Sequence, residues 1–540
     1  MTSPSQRRDP LNRFLAMPAR IVWSDPAAGA IENPDALLRD DLTVCRLAAG
    51  DGPGPSITLD FGREYNGSVR IAVPASTPRM HVPLRIRFGE SVSETFADPN
   101  NDHAIHDFTV DFPGMGTQEF GLTGFRFVRI DLLEPNTAVT IRSVQAVAIE
   151  RDRQFLGSFE SSDQRLNEIY RVGARTVHLC CQDIVMDGIK RDRLAWMGDL
   201  HPQLHVIAAL FGPHEVVPHT LDFLRDTTDP DAWINNIPSY SLWWIVSHWD
   251  WYMLTADLPY LRAQRDALTH LTKRLANHID PDGRQTLGSF VDHALLGDPT
   301  AEGESIQAIF VLAADAAAKI ARAINDDQLA DLASQLHQKL RAAPLAESPR
   351  KHVHAVRAIA GLEDPRHANQ ICLALQPDRQ LSTWFGYYVL QARALADDHA
   401  GCLDLIRSYW GGMLDLGATT FFEAFETEWL ENAGRMDEIV PPDKRDVHGY
   451  CGKGCYEGQR HSLCHGWAAG PTAWLPREVL GIVPLEPGYR KAAVRPHLAD
   501  LTFAAGTLPT PHGPITVEHS RRPDGAVASK IDAPPKVELV

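Results

Sequence analysis

Two acidic clusters carry the residue types that acid/base chemistry requires. The first extends from Cys181 to Asp199, and its carboxylates belong to Asp183, Asp187, Asp192 and Asp199, with Lys190, Arg191, Arg193 and Trp196 between them. Crowded carboxylates repel one another, so one can hold its proton while its neighbours stay ionised. A glycosidase acid needs that raised pKa, and Trp196 would stack on a sugar ring. A salt-bridge network between a helix and a loop is the alternative.

The second cluster extends from Gly417 to Trp429 and contains Glu423, Glu426 and Glu428. Aromatic residues flank Glu423. An acidic side chain in an aromatic setting suits a base that activates water, and it equally suits the solvated face of a helix. We take Glu423 as the candidate base and expect Glu426 and Glu428 to be solvated.

Two further segments are rich in aromatic and imidazole groups. The segment Ile234–Met253 contains Trp243, Trp244 and His248, which could supply stacking faces and hydroxyl partners to a sugar. Aromatic residues packed so closely along the chain are more often core. The other segment, His461 to Trp474, contains His465, and a lone histidine before a glycine is usually a loop residue.

Charge, cysteine content and motifs exclude several classes of protein. The net charge of −17 argues against nucleic acid or an anionic membrane as partner, since both favour clustered Lys and Arg. Eight cysteines in 540 residues are too few for a disulfide framework. The spacing of Cys451, Cys455, His461, Cys464 and His465 matches no common zinc motif. Without a phosphate loop, a Gly-x-Ser-x-Gly elbow or a His-Glu-x-x-His motif, we predict no metal and no cofactor.

The hydropathy pattern predicts where the protein resides. The segment Met1 to Val22 has no apolar run long enough for a signal peptide. No later stretch approaches the ~20 apolar residues of a membrane-spanning helix. We therefore predict a cytoplasmic protein with no membrane partner.

Three regions of different periodicity must position the acidic clusters. Apolar and polar residues alternate from Ser56 to Ile149, with turns between the runs, which predicts an antiparallel β-sandwich. Helical periods dominate from Gly157 to Gly481, and strand character returns after Pro484. We predict an N-terminal β-sandwich domain over residues 1–154, a helical domain over 155–482 and a small β-domain over 483–540.

The helical region predicts paired helices joined by long aromatic loops. Ser161 or Ser162 is the expected N-cap of the first helix, ahead of Leu166. Apolar stripes at helical spacing follow, at Ile306, Ile309, Phe310, Ala313 and Ala317, and again at Leu329, Leu332, Leu336 and Leu340. A toroid of paired α-helices with a central pocket fits this pattern, and an irregular helical domain is the alternative.

Several segments resemble one enzyme family. The run FESSDQRLNEIYRVGARTV followed by DGIKRDRLAWMGD resembles the start of the catalytic domain of bacterial α-L-rhamnosidases, glycoside hydrolase family 78. TTFFEAF, SLCHGWAAGPTAWL and the segment from GIVPLEPGYR onward resemble later segments of that family, in the same order. The resemblance implies a mainly α, multidomain protein with an (α/α)₆ barrel, a six-hairpin glycosidase, flanked by β-domains. It also implies hydrolysis with inversion.

The resemblance also assigns roles. Asp192 falls at the general acid, where most members have Glu, and Glu423 falls at the general base. Positions that hold the rhamnose ring correspond to Asp187, Arg191, Trp196, Asp199 and His465. An inverting pair leaves room for a water molecule, so the two carboxyl groups should stand roughly 6.5–9.5 Å apart.

We therefore predict an inverting exo-glycosidase that removes terminal α-L-rhamnose from a small glycoside or oligosaccharide. The family's shorter members suggest a homodimer. Three alternatives stay open: a related α/α-barrel hydrolase for another deoxy-sugar or an unsaturated uronic sugar, a non-catalytic glycan-binding protein, and acidic clusters that are only salt bridges.

Overall fold

The computed structural model describes residues 11–25, 29–52, 54–77, 81–98 and 105–540. The N-terminal region consists of strands, in chain order β1 Leu11–Ala16, β2 Arg20–Asp25, β3 Gly29–Glu32, β4 Cys45–Ala49, β5 Ser56–Val73, β6 Ala75–Thr77, β7 His81–Gly89, β8 Asp107–Pro113, β9 Gly116–Leu132, β10 Ala138–Ile141 and β11 Ser143–Arg151.

These strands form two antiparallel sheets around one apolar core. The larger sheet has the order β1-β11-β5-β9-β7-β8, with β2 also paired to β5, and the smaller has the order β3-β4-β10-β6. Ile57 and Leu59 of β5 and Leu84 and Ile86 of β7 are buried. The apolar positions that alternate in these two strands of the sequence thus enter the core, as predicted.

Helices occupy the central region. In chain order they are α1 Gln164–Cys180, α2 Met197–Phe211, α3 Val216–Asp226, α4 Pro238–Thr255, α5 Leu258–Ala263, α6 Arg265–Ala276, α7 Pro299–Ile324, α8 Asp327–Ala342, α9 Lys351–Ile359, α10 Pro365–Ala368, α11 Gly386–Leu395, α12 His399–Leu405, α13 Gly411–Asp415, α14 Val447–Tyr450 and α15 Gly470–Trp474.

The inner helices close into a ring. Helix α2 contacts α4, α4 contacts α7, α7 contacts α9, α9 contacts α11, α11 contacts α15, and α15 returns to α2. Other helices lie outside it: α1 packs on α2 and α15, and α8 packs on α7. Every residue of α2 except His205 is buried, as expected of a helix covered on all sides. The predicted architecture of an α/α barrel between two β-regions is confirmed.

The N-cap residue of the first helix is Asp163, one residue after the later of the two expected caps. Asp163 is the N-cap of α1, and its side chain accepts hydrogen bonds from the N–H groups of Arg165 and Leu166. The prediction of Ser161 or Ser162 at this position is therefore wrong. The hydroxyl of Ser161 instead bonds to Asn167 at 3.0 Å, which leaves the carboxylate of Asp163 to satisfy the free amides.

The remaining strands form the C-terminal β-region together with one strand from before the barrel. In chain order they are β12 Ser158–Ser161, β13 Ile482–Pro484, β14 Lys491–Val494, β15 Phe503–Thr510, β16 Gly513–Arg521, β17 Val527–Asp532 and β18 Glu538–Leu539. Strand β12 precedes the barrel in the chain but pairs with β15, in a sheet of order β12-β15-β16-β17. The C-terminal sheet thus includes a strand from before α1, and the exact domain limits of 154 and 482 remain predictions.

Within the described residues, none of the helices combines the length and the apolar composition needed to cross a bilayer.

Candidate active site

A cavity of about 230 Å³ lies where several inner helices begin. Trp196 is the N-cap residue of α2 and Ile237 is the N-cap residue of α4, and both line the cavity. Asp199 and Tyr240 follow them in the first turns of these two helices. The closed ring therefore brings residues distant in sequence to one end of the barrel.

Residues from both acidic clusters and the predicted histidine line the cavity. The predicted residues that line it are Asp187, Arg191, Asp192, Trp196, Asp199, Glu423 and His465. Residues that the sequence did not single out for the site also line it, namely Ile237, Tyr240, Phe290, His293, Tyr456, Arg460 and Trp467. A loop residue such as Tyr456 carries no periodic signal. Ile237, Tyr240 and Trp467 lie inside the aromatic segments that the sequence analysis recognised, but the pattern did not distinguish them from core residues.

Three predicted sugar contacts, Trp243, Trp244 and His248, do not line this cavity. Trp243 stacks on Tyr388 with ring centroids 5.0 Å apart, and the indole N–H of Trp244 donates to the carbonyl of Leu221. His248 lies 2.8 Å from the carbonyl of Trp244. All three are buried in the packing of α4. Their prediction as substrate-binding residues is corrected: they are core residues.

One guanidinium links the two candidate catalytic carboxylates. Arg191 Nη1 lies 3.2 Å from Asp192 Oδ2, and Arg191 Nη2 donates to Glu423 Oε1. Arg191 Nε donates to the carbonyl of Arg460 at 2.9 Å, which fixes the plane of the group. The side chain of Asp192 is 38% exposed and that of Glu423 only 3%. The acid candidate therefore lies at the opening and the base candidate in the interior.

Glu423 is held by its backbone as well as its side chain. The N–H of Ser462 donates to Glu423 Oε2 at 3.1 Å, while the N–H of Glu423 donates to the carbonyl of Ser462 at 2.9 Å. The indole N–H of Trp467 donates to the carbonyl of Glu423 at 2.9 Å. These bonds leave the carboxylate little freedom to rotate.

His465 lies among three carboxylates. Its Nε2 is 3.6 Å from Asp187 Oδ2 and 3.5 Å from Glu423 Oε1, and its Nδ1 is 3.4 Å from Asp199 Oδ1. Burial alone would lower the pKa of His465, but these carboxylates outweigh burial and raise the pKa to about 9. Burial, reinforced by Asp187 and Glu423, raises the pKa of Asp199 well above its usual range. His465 is therefore a cation at neutral pH.

The loop that carries Asp192 is closed by Asp187. The N–H of Leu194 donates to Asp187 Oδ1 at 2.9 Å, and the N–H of Asp187 donates to the carbonyl of Leu194 at 3.0 Å. Between them the chain turns through left-handed conformations at Asp192 and Arg193, with φ of 55° and 56°. Such conformations are uncommon outside glycine and mark a tightly specified loop.

Aromatic rings form the walls of the cavity. Trp196 packs edge-on against Tyr240, and Trp467 stacks on Trp384 with an interplanar angle of 3°. Tyr456 packs against His293 at 4.1 Å, where burial lowers the pKa of His293 to about 4. These faces suit the apolar side of a sugar ring.

A buried ion cluster connects the N-terminal β-region to this loop. Lys190 Nζ lies 2.7 Å from Glu94 Oε1 and 3.7 Å from Glu90 Oε2. Glu90 also accepts hydrogen bonds from the N–H of Leu463 at 2.6 Å and the hydroxyl of Ser462 at 3.1 Å. Burial raises the pKa of Glu90 to about 7 even though Lys190 opposes the shift. The β-region therefore supports the segments that carry Arg191 and hold Glu423.

The cysteine-rich segment after residue 450 contains free thiols and no group of side chains with metal-ligand spacing among those that the structure describes. Cys451 and Cys464 are free thiols, and Cys464 packs with Leu179, Cys180 and Ile189. The side chain of Cys455 lies outside the described residues. Among the described side chains, the groups with metal-ligand spacing do not include this segment.

Family models match two parts of the chain. Residues 154–355 match the bacterial α-L-rhamnosidase six-hairpin glycosidase domain, and residues 481–540 match the bacterial α-L-rhamnosidase C-terminal domain. The ring of helices and the matched domain define a six-hairpin glycosidase fold. The two matches occur in the order expected from the sequence, and they confirm the resemblance of these parts of the chain to bacterial α-L-rhamnosidases.

Individual relatives agree with this assignment. An α-L-rhamnosidase of Alteromonas sp. (strain LOR) is 23% identical over 525 residues, which cover 87% of this chain and 54% of the relative. A family 78 rhamnosidase structure from Bacillus sp. GL1 has a TM-score of 0.74 at 20% identity, with 93% of this chain and 55% of that chain covered.

A rhamnosidase from Klebsiella oxytoca with rhamnose bound has a TM-score of 0.68 at 20% identity, with 87% of this chain and 96% of that chain covered. At this identity the structures establish the shared fold. The chain spans about half the length of the curated relatives that it matches.

The buried cluster predicts the effect of removing Lys190. Lys190→Met leaves the carboxylates of Glu90 and Glu94 buried without their cation, so we expect a loss of about 3–5 kcal/mol in the free energy of unfolding. Urea unfolding at pH 7.5 measures it. Lys530→Met is the control, because the pair of Lys530 with Glu518 is exposed, and it should change little. An equal effect of both substitutions would contradict this account.

The raised pKa of His465 predicts a pH-dependent contribution to stability. The folded pKa of about 9 exceeds the ordinary 6.5, so protonation of His465 stabilises the fold fully below about pH 6.5 and ceases to do so as the pH rises through 9. We expect the difference in melting temperature between wild type and His465→Gln to shrink over this range in calorimetry. His270→Gln, at an exposed histidine, is the control for the loss of an imidazole as such. A difference that grows with pH would contradict the prediction.

Proposed function

We propose that this chain is an inverting exo-glycosidase that removes terminal α-L-rhamnose from small rhamnosides or oligosaccharides, with Asp192 as general acid and Glu423 as general base. The observation that carries the proposal is the contact of one guanidinium, that of Arg191, with both carboxylates at the edge of one small cavity.

The different exposure of the two carboxyl groups fits their proposed roles. The aglycone must leave toward solvent, and Asp192 is the more exposed group, so it is placed to protonate the departing oxygen. Glu423 is buried and accepts hydrogen bonds from Arg191 and from the amide of Ser462. Both donors suit a carboxylate that takes a proton from water on the opposite face of the sugar.

The remaining cavity residues fit a single sugar ring. Asp187, Asp199 and His465 offer hydrogen-bond partners to hydroxyl groups, and Trp196 offers an apolar face. The buried carboxylates also stabilise the positive charge that develops on the ring in the transition state. A cavity of about 230 Å³ favours one terminal sugar over the interior of a polymer.

The names of the relatives support rhamnose as that sugar. Two curated relatives are named α-L-rhamnosidase, and a structural neighbour is described with rhamnose bound. The homodimer and the cytoplasmic location remain predictions, and light scattering after gel filtration tests the first.

Hydrolysis of p-nitrophenyl α-L-rhamnopyranoside tests the reaction and the roles together. We expect Asp192→Asn and Glu423→Gln each to lower kcat by about 10²–10⁴-fold, the usual contribution of general acid/base assistance. Asp183→Asn and Glu426→Gln are matched controls, because they make the same chemical changes at exposed positions of the same segments, and they should retain wild-type activity. Near-normal activity of Asp192→Asn or Glu423→Gln would remove that residue from its role.

Two further measurements separate the acid from the base. A 2,4-dinitrophenyl leaving group needs no protonation, so it should restore much of the activity of Asp192→Asn and none of that of Glu423→Gln. Azide should rescue Glu423→Gly and yield a glycosyl azide of inverted configuration.

Proton NMR of the first sugar released by wild type should reveal β-L-rhamnose. Release of α-L-rhamnose first would overturn inversion. No release at all from a folded protein would direct the search to other deoxy-sugars or uronic sugars. Binding of the glycoside without turnover would favour a glycan-binding protein.

A further inference from the structure

A cluster of potential metal ligands lies between two inner helices of the barrel, outside the lining of the first cavity. His201 and His205 lie one helical turn apart on α2, and Asp250 lies near the end of α4. Asp250 Oδ2 is 3.1 Å from His201 Nε2 and 3.1 Å from His205 Nε2. The ring therefore brings together two imidazoles, about one and two turns into α2, and a carboxylate about three turns into α4.

We propose that His201, His205 and Asp250 form a binding site for a divalent transition-metal ion of the Zn²⁺ type. The three ligand atoms lie within 4.8 Å of one another. Bonds of about 2.0–2.2 Å to zinc in a tetrahedron separate neighbouring ligand atoms by roughly 3.3 Å. The two 3.1 Å separations are close to that edge length, so small side-chain movements would admit an ion.

The residues around the cluster support metal binding. His201 Nδ1 lies 2.8 Å from the hydroxyl of Tyr388, and a metal-bound histidine usually donates its other ring N–H to an oxygen in this way. The imidazole of His201 packs between the rings of Trp243 and Tyr388, which fixes its orientation. The side chain of Asp250 is 28% exposed, so an ion can reach the site.

A small cavity leaves space for a further ligand. It has a volume of about 40 Å³ and includes His205 and Leu254 from the barrel and Leu508 from the C-terminal sheet in its lining. This volume can hold a water molecule, the usual fourth ligand of a three-residue zinc site. Arg477 also lines the cavity but is paired with Glu478 at 3.1 Å, which reduces its repulsion of a cation.

A bound ion would connect helices α2 and α4. None of His201, His205 and Asp250 lines the first cavity. The role that follows is structural, because the three ligands are not among the residues assigned to chemistry. The proposal is independent of the function proposed above.

Metal titration of the full-length protein, first stripped with a chelator, tests the site. We expect wild type dialysed against Zn²⁺ to retain one ion more than His205→Gln or Asp250→Asn, by elemental analysis. Co²⁺ should give wild type the intense visible absorption of a tetrahedral site, and both variants should lose it. Tyr388→Phe keeps all three ligands and should weaken Co²⁺ binding about tenfold.

His270→Gln is the matched control, because His270 pairs with Asp231 at 3.2 Å on the surface and lies outside the ligand clusters found among the described residues. It should bind as wild type does. Zn²⁺ should also raise the melting temperature of wild type more than that of His205→Gln. Equal ion content in wild type, His205→Gln and Asp250→Asn, or no Co²⁺ spectrum in wild type, would overturn the proposal and leave the cluster as a hydrogen-bonded His-Asp-His group.

Discussion

Burial of several carboxylates in one small cavity is the constraint on which the site depends. Asp187, Asp199 and Glu423 are each almost fully buried, and an unpaired buried carboxylate is strongly unfavourable. Arg191 and the imidazolium of His465 lie among them and are also buried. The two cations offset the electrostatic repulsion among these carboxylates. Burial and the neighbouring carboxylates still raise the pKa of Asp199 well above its usual range.

The cations must themselves be held in place, and this is the contribution of the N-terminal β-region. Arg191 directly follows Lys190, whose ammonium is fixed by Glu90 and Glu94. Glu90 in turn bonds to Ser462, whose amide holds Glu423. Displacement of the β-region would therefore disturb acid, base and the arginine between them at once. The β-region is better regarded as part of the site than as an accessory domain.

The sequence predicted the three-region fold and the acidic cavity residues because both leave local signals: periodicity for the elements, dense charge for the cavity. The prediction of sugar contacts on α4 was wrong. Trp243, Trp244 and His248 lie on a helix that is covered on nearly all sides, so the hydropathy pattern could not distinguish core residues from cavity residues. Tyr456 and His293 were missed because only ring closure brings their loops together. The pairing of β12 with β15 joins segments more than 300 residues apart, which no local pattern encodes.

The backbone conformation at position 192 explains why this residue is an aspartate. The family resemblance expects glutamate here, yet the residue adopts a left-handed conformation with φ of 55°. Among non-glycine residues aspartate and asparagine tolerate that region best, because a short polar side chain can bond locally. Asp187 closes the loop and Arg191 contacts the carboxylate, so the turn itself directs Asp192 to the opening. The short side chain of aspartate thus suits the turn that presents it.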